Sequence, residues 1–423
     1  MRIVMLLALL FPVVTAARSE VPRFDDILPV SRVRPGMKGY GLTVFQGTRI
    51  ERFEVTVVGV VRRGSWIAPG HDMILVRLSG GPITSRGAFK IQGMSGSPIY
   101  IDGKIIGAFS QAESLTKEPL GGVTPIEDML EAWDTRLPES PVAARSYSSP
   151  TVVHLPRPLQ IGSRRITKVV LNAPRTRWLA STSQTAVLRP CATTVISGNL
   201  SPLARKKLAE AFEPYNVELV TARGAAGQAA DFKGAPLEPG AAFSMMLSVG
   251  DFTMGSIGTV TYRKERRILG FGHPFMGIGP LEAPICSAYI HDVYPLISAS
   301  YKIGTPGPIV GSSLQDRTFS VSGVLGKQPR LIPVEAEVTD RSTGRRKTFR
   351  SQVVAHPNLS SALISSAVAT GVAEIRGTPG AAFARIATSV QADEVGSIER
   401  TNTVFDARSI DSAATADLDE MLS

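Results

Sequence analysis

The sequence predicts a mainly β protein, with two barrel-like β sections joined by a mixed α/β insert. Three observations point there. Short runs rich in β-branched residues recur through 38–111 and again through about 241–355, and such runs bounded by turn residues read as strands. Asp102-Gly103 stands between Pro98-Ile99-Tyr100-Ile101 and Lys104-Ile105-Ile106. Asp-Gly between apolar runs marks a hairpin, because both turn positions need positive φ. Between the two sections, Ser201-Pro202 opens a helical pattern through Phe212, and Val217 to Val220 reads as a strand.

In chain order, Met1-Arg2 gives a positive start, residues 3–14 are apolar apart from Pro12, and Thr15-Ala16-Ala17 supplies small residues for cleavage. This reads as a secretory signal peptide over 1–17, which puts the mature chain in a periplasm or outside the cell. No later stretch approaches the roughly 20 apolar residues of a membrane-spanning helix. The first β section runs over 24–136, with strands at Phe53-Glu54-Val55-Thr56-Val57-Val58 and Met73-Ile74-Leu75-Val76. It ends in a helix with Thr124 as N-cap, Pro125 at the first position and Glu127 completing a capping box. Ile126, Met129, Leu130 and Trp133 form its apolar stripe.

Residues 137–240 make the linker and insert, rich in Pro, Ser and Arg up to about 165, which suggests a loosely packed crossing. The second β section covers 241–392. Ser256-Ile257-Gly258-Thr259-Val260-Thr261-Tyr262 and Arg267-Ile268-Leu269-Gly270-Phe271 flank charged residues 263–266 and lead into Gly272-His273-Pro274-Phe275. Strands follow at 332–338 and 347–354, then a helix at 358–372. The polar stretch 393–423 reads as a flexible tail.

With 423 residues and 43% apolar content, the chain is long enough for two or three domains and is not disordered as a whole. The formal net charge of +10 includes Arg62-Arg63, Arg205-Lys206-Lys207 and Arg345-Arg346-Lys347. A basic surface favours an anionic envelope component, polymer or lipid headgroup. Aromatic interleaving and zinc spacing are missing, which argues against nucleic acid. No His/Cys/Asp cluster has metal-ligand spacing and no glycine loop suits a phosphate, so neither metal nor cofactor is expected. The two cysteines, Cys191 and Cys286, allow one pairing, and sequence does not say whether they meet.

The chemistry concentrates at Gly93-Met94-Ser95-Gly96-Ser97-Pro98. A serine hydroxyl needs a base to take its proton and donors to stabilise the oxyanion that forms. Glycines on both sides of Ser95 let the backbone bend sharply, so that the N–H groups of Gly93 and Ser95 can form an oxyanion hole. The Gly-x-Ser-Gly-x-Pro spacing is shared with chymotrypsin-like peptidases, which are double β-barrels. It differs from the Gly-x-Ser-x-Gly elbow, which requires a helix after the serine.

The longer string is more specific. Gln92 through Ile99, then Asp102-Gly103-Lys104-Ile105-Ile106-Gly107-Ala108 and Gly121-Gly122-Val123-Thr124-Pro125-Ile126, strongly resembles the serine segment of the sporulation-factor IVB (S55) peptidases. Ile257 to Thr261 through Gly272-His273-Pro274 resembles that family's histidine segment. The resemblance implies an exported serine endopeptidase acting on protein or peptide substrates, with chymotrypsin-like β-barrel sections. On it, Ser95 is the nucleophile and His273 the base; His71, His154, His291 and His356 have no such support. Two departures stand out. The family places its histidine segment first, whereas here Ser95 precedes His273. The family's upstream aspartate is missing too, since 73–94 holds neither Asp nor Glu. Asp316 is the favoured replacement acid, ahead of Asp251 and Asp72. These departures leave a second expectation open, a non-catalytic relative that serves as a binding or scaffolding module in the envelope.

Overall fold

The computed structural model describes residues 25–65, 67–68, 70–87, 91–112, 119–133, 151–161, 163–171, 182–187, 189–190, 193–198, 200–215, 217–221, 232–295, 300–377, 380–393 and 396–422. The fold is mainly β, as expected. In the first section the strands are β1 (Lys38–Val44), β2 (Ile50–Val61), β3 (Met73–Ser79), β4 (Ile91–Gln92), β5 (Ser97–Ile101), β6 (Lys104–Ala112) and β7 (Leu120–Pro125). All but β4 form a closed antiparallel barrel in the order β6-β5-β1-β2-β3-β7, with β7 returning to β6. Alternate residues of β2 point inward: Phe53, Val55 and Val57 meet Ile74, Val76 and Leu78 of β3, and Ile99, Ile106 and Val123 complete the filling. Burial of each such side chain is worth about 1.5–3 kcal/mol.

The second section also closes. The strands Ala242–Gly250, Met254–Lys264, Arg267–Gly270, Val321–Leu325, Ser300–Asp316 and Pro284–Tyr294 pair antiparallel in that order, and the last returns to the first. Phe243, Leu247, Ile268, Phe271, Phe275 and Val321 lie in its core. The hairpin Leu331–Thr339/Arg346–Val354 extends this sheet beyond the barrel, and the helix Ser360–Arg376 packs on it through Leu363 and Ala367.

The insert is woven into both barrels. Arg189–Pro190 pairs with β6, while Thr193–Ser197 pairs with the strand Met254–Lys264. Its helix Pro202–Phe212 starts where expected, with the Ser201 hydroxyl accepting the N–H of Ala204. The barrels also touch directly, for β4 leaves the first one to pair in parallel with Ser300 and Tyr301 of the second.

Several local readings change. The Asp102-Gly103 hairpin forms with φ of 49° and 76°, but Thr124 is no N-cap. It lies in β7, Pro125 takes the N-cap position, and the short helix Ile126–Met129 begins without a side-chain cap. The Thr124 hydroxyl is drawn instead to the second barrel, donating to the Gly272 carbonyl, and Glu127 accepts from the Val30 N–H. The stretch read as linker contains a hairpin, Thr151–Ile161 with Arg164–Leu171. The C-terminal stretch is not a free tail. The hairpin Ala382–Ala392/Gly396–Asp406 leads into the helix Ile410–Leu422, whose Ile410, Ala414 and Leu418 are buried, and Asp419 bonds to Lys207 and Ser365. Cys286 is a buried free thiol whose pKa burial pushes up to about 12; Cys191 and the 1–17 segment lie outside the described residues. Among those residues no helix is long and apolar enough to cross a membrane.

The β6 register depends on Gly107, which faces Ile99 on one side and Pro125 on the other. Its φ is +152°, and a Cβ there would lie 1.9 Å from the Thr124 carbonyl oxygen. Gly107→Ala should therefore destabilise the protein by about 2 kcal/mol or more. Chemical denaturation measures it; an unchanged midpoint would show that the barrel closure has slack.

Candidate active site

The serine turn links β4 to β5, so it leaves one barrel's sheet and enters the other's. Gly93 and Gly96 have φ of +92° and +94°, in the region that glycine alone enters without cost. Space is as limiting as conformation, because a Cβ on Gly96 would sit 2.0 Å from the Thr259 oxygen and 2.5 Å from the Phe271 nitrogen. Within the turn, Met94 N–H donates to the Ile91 carbonyl and Ser97 N–H to that of Met94; Gly96 N–H donates to Phe109 of β6.

The turn's carbonyls face the second barrel. Thr259 N–H donates to Ser95 O at 2.8 Å. The hydroxyls of Thr259 and Thr261 donate to Gly93 O and Gly96 O at 3.0 and 2.7 Å. The N–H groups of Gly93 and Ser95 take no part in these three bonds. Ser95 is 5% exposed, and no hydrogen bond ties its hydroxyl among the described residues.

His273 comes from the second barrel. Phe271 and Gly272, at φ 67° and 70°, turn the chain sharply after the strand Arg267–Gly270. Gly272 fits against β6, where a Cβ would meet Ala108 and Ser110 at 3.1 Å. Thr124 of β7 donates to its carbonyl at 2.7 Å. Gly96 packs on Phe271 and Gly272 packs on β6, so the two turns share one seam.

The His273 ring is 3% exposed. Its Nδ1 lies 2.7 Å from the Pro274 carbonyl. A carbonyl only accepts, so Nδ1 carries the proton and Nε2 the lone pair. Nε2 is buried and has no hydrogen-bond partner among the described residues. Burial lowers the imidazole pKa to about 4 against the opposing effect of the Pro274 bond, so the ring is neutral at pH 7.

Asp316 holds the turn rather than the ring. Its carboxylate accepts N–H groups from Phe275, Met276 and Gly277 at 2.7, 2.7 and 2.8 Å, with Ile278 at 3.5 Å. Burial raises its pKa to about 6 despite these bonds. By closing 275–278 it fixes the Pro274 carbonyl that orients His273. The other acids are engaged elsewhere: Asp251 accepts from Arg350 N–H, and Asp72 pairs with Arg62 and accepts from Arg63 N–H. His71 bonds Asp128, His291 bonds Thr305, and His356 accepts from Asn358 N–H; His154 is exposed.

Sequence reasoning missed the threonines that clamp the turn, although Thr259-Val260-Thr261 shows the alternation that puts both on one strand face. It also missed Lys302, 1% exposed, whose side chain lies against Gly93. Tyr301-Lys302-Ile303 looks like an ordinary strand with a solvated lysine, so the sequence carries no signal for it. For a metal, the described residues offer His71, Asp128 and Glu131, with ligand atoms within 4.8 Å of one another. The His71–Asp128 bond at 3.1 Å already accounts for much of that closeness.

Two closed antiparallel barrels with a glycine-flanked serine at their seam have the architecture of double-barrel serine peptidases. Residues 20–130 match the family model of the SpoIVB peptidase S55 family, and Ser95 lies within the matched residues. His273 lies outside the matched residues. No curated protein and no solved structure matches the chain.

Removing the Asp316 carboxylate leaves up to four backbone donors buried without partners, at about 1–3 kcal/mol each. Asp316→Ala should lower stability by several kcal/mol and speed amide exchange at 275–278 first, with Asp316→Asn intermediate because one acceptor oxygen remains. Unchanged exchange there would contradict its role as the turn's anchor.

Proposed function

We propose that this protein is an exported serine endopeptidase working through an acyl-enzyme. Ser95 Oγ attacks the scissile carbonyl, and His273 Nε2 takes its proton. The N–H groups of Gly93 and Ser95 bind the oxyanion. His273 then gives the proton to the leaving amine, and water releases the acyl group by the reverse sequence. The observation that carries this reading is the convergence of two sterically tight turns on one seam. Among the described residues, one offers a hydroxyl that no hydrogen bond ties, the other an imidazole with an unpartnered lone pair.

The Pro274 carbonyl takes the orienting half of the usual acid's task. It holds the tautomer but, being uncharged, gives less stabilisation to the imidazolium, so turnover should be slow. Protein or peptide substrates follow from the peptidase family of the serine segment. Export rests on the apolar start of the chain, and the +10 charge supports attraction to an anionic envelope component. The low exposure of Ser95 and His273, with no carboxylate on the ring, favours a second reading, a scaffolding relative without activity.

A fluorophosphonate probe separates the two. Wild type should label, with Ser95→Ala silent and His273→Gln slowed about 100-fold or more; equal labelling of wild type and Ser95→Ala excludes the peptidase reading. Because His273 is neutral above about pH 4, its protonation should depress labelling only as pH falls toward 4. A fall centred near 6.5 would indicate an exposed, unperturbed base. For export, the N-terminus of the protein recovered outside the cytoplasm should follow residue 17; an intact Met1 would contradict cleavage.

A further inference from the structure

A buried lysine stands behind the serine turn with no assigned task. Lys302 lies on the strand Ser300–Asp316, one residue past the pair that holds β4. Its aliphatic chain covers Gly93 so closely that a Cβ there would come within 3.1–3.2 Å of Cδ, Cβ and Cγ. Its Nζ donates to Thr43 Oγ1 of β1 at 2.8 Å. Among the described residues no ion pair accompanies it. Leaving an amine unpaired in a dry interior is costly, and a methionine would fill the same space.

Thr43 Oγ1 is 3.4 Å from Thr259 Oγ1, which donates to the Gly93 carbonyl at 3.0 Å. Each hydroxyl has one proton. Thr259 spends its own on Gly93, so Thr43 donates to Thr259 and accepts from Lys302. The direction of the whole chain follows: Lys302 Nζ to Thr43, Thr43 to Thr259, Thr259 to Gly93 O. The same Thr259 holds Ser95 O through its N–H.

We propose that Lys302 is a positioning residue that, through Thr43 and Thr259, fixes the Gly93 carbonyl and so the aim of the oxyanion-binding N–H groups beside Ser95. This rests on reading Ser95 as the nucleophile. The burial that makes the lysine costly also lowers its pKa to about 7. Either protonation state can donate to Thr43, so the relay does not depend on the ammonium form.

The test compares fluorophosphonate labelling and peptide cleavage in the full-length protein. Lys302→Met keeps the volume and removes the donor. It should lower kcat and the labelling rate by about 10- to 100-fold with KM little changed and the melting temperature equal or higher. Thr43→Val breaks the relay at its centre and should lose a similar factor, Thr43→Ser should recover most of it, and Lys302→Met with Thr43→Val should be no worse than either alone. Wild-type rates in Lys302→Met would overturn the proposal, as would Thr43→Ser failing as badly as Thr43→Val, which would point to packing of the methyl. If Lys302→Met fails to fold, the Thr43 pair decides. Ser95→Ala separates the two levels: activity that survives it defeats the site itself. Activity that needs Ser95 but ignores both Lys302 and Thr43 defeats this proposal alone. A wild type that neither labels nor cleaves defeats both.

Discussion

The serine turn is held by its carbonyls. Gly93, Ser95 and Gly96 each direct a C=O to the strand Met254–Lys264, where Thr259 and Thr261 supply one backbone and two side-chain donors. A backbone turn in a buried seam has to satisfy its polar groups somewhere. Much of the site follows from this clamp. It requires a glycine at 96, where a Cβ would meet the Thr259 carbonyl oxygen at 2.0 Å, and it joins the barrels through the serine turn. Ser95 comes from the first barrel and His273 from the second, and the seam brings both turns together whichever is synthesised first.

The seam is buried, and its electrostatics are those of buried groups with few charged partners among the described residues. His273 is neutral because charging it would cost too much solvation. Asp316 escapes isolation only by accepting several N–H groups from one turn. Lys302 has a threonine rather than a carboxylate beside its amine. Neutral dipoles therefore do much of the orienting: the Pro274 carbonyl for the imidazole, threonine hydroxyls for the serine turn. Such dipoles cost less to bury than ions and fix geometry as firmly, but they stabilise a developing charge less than a carboxylate would.

Much of this arrangement was legible in the sequence. Short runs rich in β-branched residues marked the strands, Asp102-Gly103 marked a hairpin whose φ values are those expected, and Ser201-Pro202 marked the start of a helix. The glycines around Ser95 correctly implied a backbone no other residue could follow. Elsewhere local rules misled because distant partners outbid them. Thr124 has the signature of an N-cap, but its hydroxyl finds the Gly272 carbonyl across the seam. The C-terminal stretch is polar and short of large apolar residues, yet Ile410, Ala414 and Leu418 give its helix a buried side. Asp316, expected as the acid on the histidine, accepts instead the N–H groups of the turn that follows it.

By itself the sequence determined the mainly β class, the serine turn with its glycines, and the peptidase-type segment that carries it, because these depend on local backbone conformation and on residues close in the chain. Tertiary structure alone decided that two distant turns share one seam, that a carbonyl rather than a carboxylate faces His273, and that Lys302 and Thr43 lie behind Gly93. Those are contacts between residues up to some hundreds of positions apart, and no periodicity along a single strand records which face of another it will meet.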